Sequence, residues 1–159
     1  MQGAAEKGRP GISPVEEHQM PVRKASAVWN GGLKGGSGSF KGDSGLSGAY
    51  NFGSRFENGS GSNPEELLAA AEAACFSMAL GAALERSGTP ATKIETAAGC
   101  TIEKVGDAFT ITRIALTVNA TVPKVDRAAF DRIVQETKVN CPVSKALKAV
   151  DIQVQATLT

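Results

Sequence analysis

Histidine is nearly absent. Of the 159 residues only His18 is one, and it lies among the first twenty. Ser-His-Asp and Cys-His constellations and most zinc sites are thereby removed from the rest of the chain. Any nucleophile has to be activated by something other than imidazole. An excess of one charge is also missing: 17 Lys and Arg face 16 Asp and Glu, for a net charge of +1. No basic cluster alternates with aromatics, so nucleic-acid binding has little electrostatic support. The three cysteines, Cys75, Cys100 and Cys141, are too few and too widely spaced for a disulfide-stapled secreted scaffold, and a cytoplasmic location is expected. The opening MQGAAEKGRPGISPVEEHQM lacks the apolar centre of a signal peptide. Residues 1–20 read as a leader, non-native or disordered, ahead of a single domain over 21–159 that is long enough to bury a core.

Between Gly31 and Gly48 runs GGLKGGSGSFKGDSGLSG, which by composition alone would be a linker. It holds neither a P-loop nor a GxGxxG pattern. Val28, Trp29 and Phe40 in and beside it predict weak hairpin strands over about Arg23–Asn30 and Ser37–Lys41, followed by a third short segment, GAYNFGSRFENGSGS. Asn63-Pro64 then supplies a cap and a first helical residue for a helix over Pro64–Ser87, stopped by Gly88-Thr89-Pro90. From Leu67 to Leu84 its only charge is Glu72. Alanine dominates that run and no basic flank orients it, so no membrane span is expected. A helix buried on nearly all sides, partly by a partner subunit, is the expectation.

Two alternating strands follow, turning at Val105-Gly106-Asp107, with a phase slip that implies a bulge near Thr112 and Arg113. Val125–Asn140 carries Phe130, Ile133, Val134 and Thr137 at one-face helical spacing, Pro142–Lys148 predicts a short helix, and Ile152 to Leu158 alternates as a closing strand. The order is α+β, with antiparallel pairing expected.

The cysteines differ in setting. Cys100 shares the phase of Ile94 and Ile102 and reads as a small core hydrophobe. Cys141 precedes Pro142 at a helix start, where unpaired N–H groups would lower a thiol pKa; a structural cap that happens to be cysteine fits the same position. Cys75 stands ten residues past Glu65, roughly 15 Å along the helix and beyond reach of its dipole. Taken alone it is more often packing than catalyst, and its activation requires a cation from elsewhere. Arg55, between Phe52 and Phe56 and near carboxylates, is the best candidate.

RFENGSGSNPEELLAAAEAACFSMAL, followed far downstream by NCPVSKALKA, resembles the OsmC/Ohr family of osmotically inducible and organic hydroperoxide resistance proteins, its OsmC branch in particular. The similarity covers about Val22 to Thr159. It implies an intertwined homodimer in which two long central helices are wrapped by mainly antiparallel sheets. It also implies a thiol peroxidase for organic hydroperoxides and, less efficiently, hydrogen peroxide. Cys75 matches the peroxidatic nucleophile, Cys141 the resolving thiol that closes an intrasubunit disulfide, Arg55 the arginine that stabilises the thiolate, and Glu65 the glutamate that orients it. An external dithiol reductant is then required and no bound cofactor or metal. Because Glu65 and Cys75 are too far apart on one straight helix to share an arginine, Glu65 with Arg55 is expected to complete the partner subunit's site. Two other readings stay open at this point: a non-catalytic stress protein or small apolar ligand carrier on the same scaffold, and a redox sensor, for which no DNA-binding or partner motif is present.

Overall fold

A computed structural model describes residues 21–159; the expected leader 1–20, with His18, lies outside the described residues. Glycine and serine do not make the early segment a linker. It folds as three antiparallel strands, β1 (Ala25–Asn30), β2 (Ser37–Gly42) and β3 (Ser47–Asn51), in the order β1-β2-β3. Register explains the composition: Gly38 lies opposite Tyr50, and Gly48 opposite Phe40. A Cβ on Gly38 would come within 2.5 Å of the Tyr50 ring, and one on Gly48 within 2.7 Å of Phe40. Glycine is therefore the seat over which each aromatic ring lies. Trp29 completes the row, 5.5 Å from Tyr50 between ring centroids.

A five-residue helix the sequence reading did not anticipate, α1 (Phe52–Phe56), follows β3 directly. Asn51 accepts from the Ser54 N–H, and Ser54 Oγ accepts in return from the Asn51 N–H, a reciprocal cap that closes the turn. The long helix α2 (Pro64–Arg86) starts as expected, with the Asn63 side chain accepting from the Glu66 N–H. It ends at Gly88, whose φ of +78° no β-carbon favours.

The second sheet, β4 (Lys93–Val105), β5 (Ala108–Thr121) and β6 (Asp151–Leu158), packs its inner face on α2 and on α3 (Arg127–Asn140). Ile114, Leu116, Val118 and Ala120 of β5 meet Phe76, Leu80 and Leu84 of α2 and Phe130, Ile133 and Val134 of α3 in one buried cluster. The bulge falls where the phase slip predicts: Thr101 faces Arg113 and Ile102 faces Ile111, leaving Thr112 as the extra residue.

The pairings are mainly antiparallel, as expected, with one exception. The closing strand β6 runs parallel to β5, not antiparallel, with Ile152 against Ile114 and Leu158 against Ala120. The physical reason is the crossover: α3 and the short helix α4 (Pro142–Ala146) carry the chain back to the start of β5 before β6 enters. Within one chain helix α2 receives part of the cover expected of it. It buries one stripe, Glu65, Ala69, Glu72, Phe76, Leu80 and Leu84, and leaves Met78 81% exposed on another face. By length and composition it could cross a membrane, which Glu72 inside the run and the buried stripe argue against.

Candidate active site

Helix α2 presents Cys75 one residue before the buried Phe76, and the α3–α4 junction brings Cys141 to it. The two Sγ atoms stand 3.0 Å apart and share a hydrogen bond, as free thiols. Cys75 is half-buried and Cys141 fully buried. Backbone bonds fix Cys141 from both sides. Its N–H donates to the Thr137 carbonyl at 2.8 Å, and its carbonyl accepts from the Lys145 N–H at 2.9 Å. The expected role of its sulfur as an α4 cap is not realised: Cys141 makes no side-chain cap bond, because the thiol turns to Cys75 instead.

Burial pushes the Cys75 thiol above its ordinary range, and so do the hydrogen bond with Cys141 and the negative charge of Glu72. The backbone N–H of Val143, in the first turn of α4, acts in the opposite direction. An amide at the start of α4 thus serves Cys75. No cation of the same chain acts on Cys75 among the groups that shift it.

Arg55 is engaged elsewhere in the chain. Arg55 Nη2 donates to Glu65 Oε1 at 2.9 Å, and Nε donates to both carboxylate oxygens at 3.2 and 3.3 Å. Glu65 is only 5% exposed, so this is a two-pronged pair in a largely dry place. The Arg55 guanidinium also lies over the Phe56 ring, 5.1 Å from its centroid. Local structure fixes the meeting: Asn63, while capping α2, donates from Nδ2 to the Ser54 carbonyl and ties α1 to the helix that carries Glu65. Beside Arg55 opens a cavity of about 550 Å³ walled by Phe52, Phe56, Ile102 and Phe109. Glu65 and Cys75 stand ten residues apart on α2, roughly 15 Å along the helix, so the pair and the thiols occupy different regions of one chain.

Cys100 packs against the core from β4 with no cysteine partner, its thiol pushed up by burial and then by the charge of Glu65. Two features of the site escaped sequence reasoning, the Val143 amide and the hydrogen bond from Ser144 Oγ to Glu72 Oε1. The signal for the second was visible as the lone charge of an apolar helix, three residues before Cys75.

Comparison with known proteins places this arrangement. Residues 57–155 match the family model described as OsmC-like protein. The chain belongs to the OsmC family. Peroxiredoxin OsmC of Escherichia coli (strain K12) is 46% identical over 129 residues, which span 80% of this chain and 90% of that protein. Among solved structures, the OsmC-like protein of Mycoplasma pneumoniae superposes with a TM-score of 0.70 at 16% identity, covering 88% of this chain and 99% of that one. The organic hydroperoxide resistance protein OhrB of Bacillus subtilis gives a TM-score of 0.63 at 25% identity over 84% and 98%. The mixed helix and sheet architecture described above is therefore that of OsmC proteins.

Proposed function

We propose that the protein is a cysteine-based peroxidase that reduces organic hydroperoxides and, less efficiently, hydrogen peroxide. The observation that carries this reading is the 3.0 Å approach of Cys75 and Cys141 in an OsmC-family chain. Support comes from a relative named a peroxiredoxin and a structural relative named an organic hydroperoxide resistance protein.

The Cys75 thiolate attacks one peroxide oxygen, the O–O bond breaks, and the alcohol leaves after taking a proton. Cys75 is then a sulfenic acid. Cys141 gives up its proton and attacks that sulfur, and the hydroxyl departs as water with a proton taken up in exchange. From 3.0 Å, closing the intrasubunit disulfide asks for about 1 Å of sulfur movement. An external dithiol returns both sulfurs to thiols, with no bound cofactor or metal, in a reducing cytoplasm.

The exposed face of α2 and the strand β1, exposed along its whole length, support a homodimer in which two α2 helices meet at the centre. In that assembly Arg55, held by Glu65, reaches the Cys75 of the partner chain and supplies the missing cation. Guanidinium suits the task because it stays charged in an apolar pocket and offers several donors at once. The alkyl part of the hydroperoxide occupies the aromatic cavity that includes Phe52.

The test is to treat reduced protein with one equivalent of an organic hydroperoxide, block the remaining thiols and map the linkages by peptide mass spectrometry. A rapid Cys75–Cys141 disulfide is expected, absent in Cys75→Ser and replaced by sulfenic acid in Cys141→Ser. Thiols that stay free after prolonged exposure overturn the reading.

A further inference from the structure

Glu72 is a fully buried carboxyl in a helix that is otherwise apolar from Leu67 to Leu84. Oε1 accepts from Ser144 Oγ at 2.5 Å, while Oε2, also buried, has no hydrogen-bond partner among the described residues. Burying such a group costs stability, and an apolar side chain of similar size would avoid that cost. Its position gives it a use. Glu72 precedes Cys75 by three residues on α2, and Ser144 follows Cys141 by three along the chain, in the five-residue helix α4. Residues three apart on a helix share a face, so the Glu72–Ser144 bond lies about one turn from the Cys75–Cys141 contact. The two contacts are parallel ties between the same two helices.

We propose that Glu72 and Ser144 form a positioning clamp for the resolving step, docking α4 on α2 so that Cys141 meets the oxidised Cys75. A helix of five residues has little cohesion of its own, and the hydrogen bond between α4 and Glu72 fixes it where the sulfur of Cys141 needs it. The attack on hydroperoxide uses Cys75 and its activating arginine but not Cys141, and does not require α4 to be docked. The attack of Cys141 on the sulfenic acid does, since a displacement of about 1 Å in a preformed approach costs orders of magnitude in rate. Removing the clamp therefore separates the two steps. A longer-lived sulfenic acid is also exposed to a second hydroperoxide, which adds another oxygen to sulfur and releases a second alcohol, leaving sulfinic acid.

This inference rests on the proposed two-cysteine mechanism, and its test keeps the two apart. Reduced wild type, Ser144→Ala, Glu72→Leu and Glu72→Gln are mixed with tert-butyl hydroperoxide, quenched with a thiol-blocking reagent over time, and followed by intact mass for sulfenic acid, disulfide and sulfinic acid. In Ser144→Ala and Glu72→Leu the rate of disulfide formation relative to that of hydroperoxide consumption is expected to fall at least about tenfold below the wild-type ratio. With excess hydroperoxide they accumulate sulfinic acid at Cys75. Glu72→Gln, whose amide oxygen accepts the same bond, restores the disulfide rate to within about threefold. Ser144→Ala, which removes one oxygen atom, carries the test should Glu72→Leu fail to fold. A wild-type disulfide rate in Ser144→Ala overturns the clamp, as does Glu72→Gln as slow as Glu72→Leu, or equal slowing of both steps. Wild type that never forms the disulfide overturns the mechanism itself.

Discussion

In the sheet β4-β5-β6 the inward residues Ile114, Leu116, Val118 and Ala120 are shielded by α2 and α3, whereas in the sheet β1-β2-β3 every residue of β1 is exposed and aromatic rings lie on the glycines of neighbouring strands. The first sheet is finished on its inner face by its own chain, and the second is unfinished along β1. The candidate chemistry divides along the same line. Cys75, Cys141, Glu72 and Ser144 assemble between α2 and α4 within the finished region. Arg55 and Glu65 pair where α1, which follows the unfinished sheet, meets the start of α2. A redox pair needs a distance held to a fraction of an ångström, which a single packed core provides; a stabilising cation can be brought by a second surface.

The sharpest way to break this comparison is to separate its halves. Cys75→Ser and Arg55→Leu variants of the proposed homodimer are each expected to lose nearly all peroxidase activity. Refolded together, half of the dimers are hybrids with one intact site, and about a quarter of wild-type turnover returns if the arginine acts across the interface. An arginine acting within its own chain restores none.

Arg55→Gln alone should slow hydroperoxide consumption about 100-fold at neutral pH, the scale for losing one preorganised charge at a reacting centre. Since burial and Cys141 raise the Cys75 pKa, less thiolate exists at neutral pH, and the variant's rate should climb about tenfold per pH unit on going alkaline. A stopped-flow pH profile as flat in the variant as in wild type would remove Arg55 from thiolate stabilisation.

Stability should follow the same division. Phe76→Ala empties a fully buried position and is expected to cost about 3–5 kcal/mol in denaturant unfolding. Gly48→Ala, which drives a methyl into the Phe40 ring, should cost only about 1–2 kcal/mol, because the clashing atoms are the far end of a half-exposed ring that can turn aside. Equal losses at the two positions would deny that the sheets differ.

Much of the fold was legible in advance. Asn63-Pro64 and Gly88 bound α2 because they carry local backbone requirements, and the β4–β5 turn and its bulge follow from the phase of the apolar residues. Helix α1 was missed since FGSRF has no apolar period long enough to register; the Asn51–Ser54 cap makes it. The parallel entry of β6 was missed because strand direction depends on where α3 and α4 lead the chain. Of the candidate site, Arg55 and Glu65 do pair, and Cys141 lies beside Cys75 as the resemblance implies, while the cap bond that its place before Pro142 suggests is not made.

The sequence by itself determined which elements form and which residues can do chemistry, since caps, turns, apolar period and a near absence of histidine are properties of short stretches. Only the tertiary structure decided that Cys141, 66 residues beyond Cys75, meets it at 3.0 Å, and that Ser144 finds Glu72. Those approaches depend on how α3, α4 and α2 pack against one sheet, and packing is a sum over many distant contacts that no short stretch encodes.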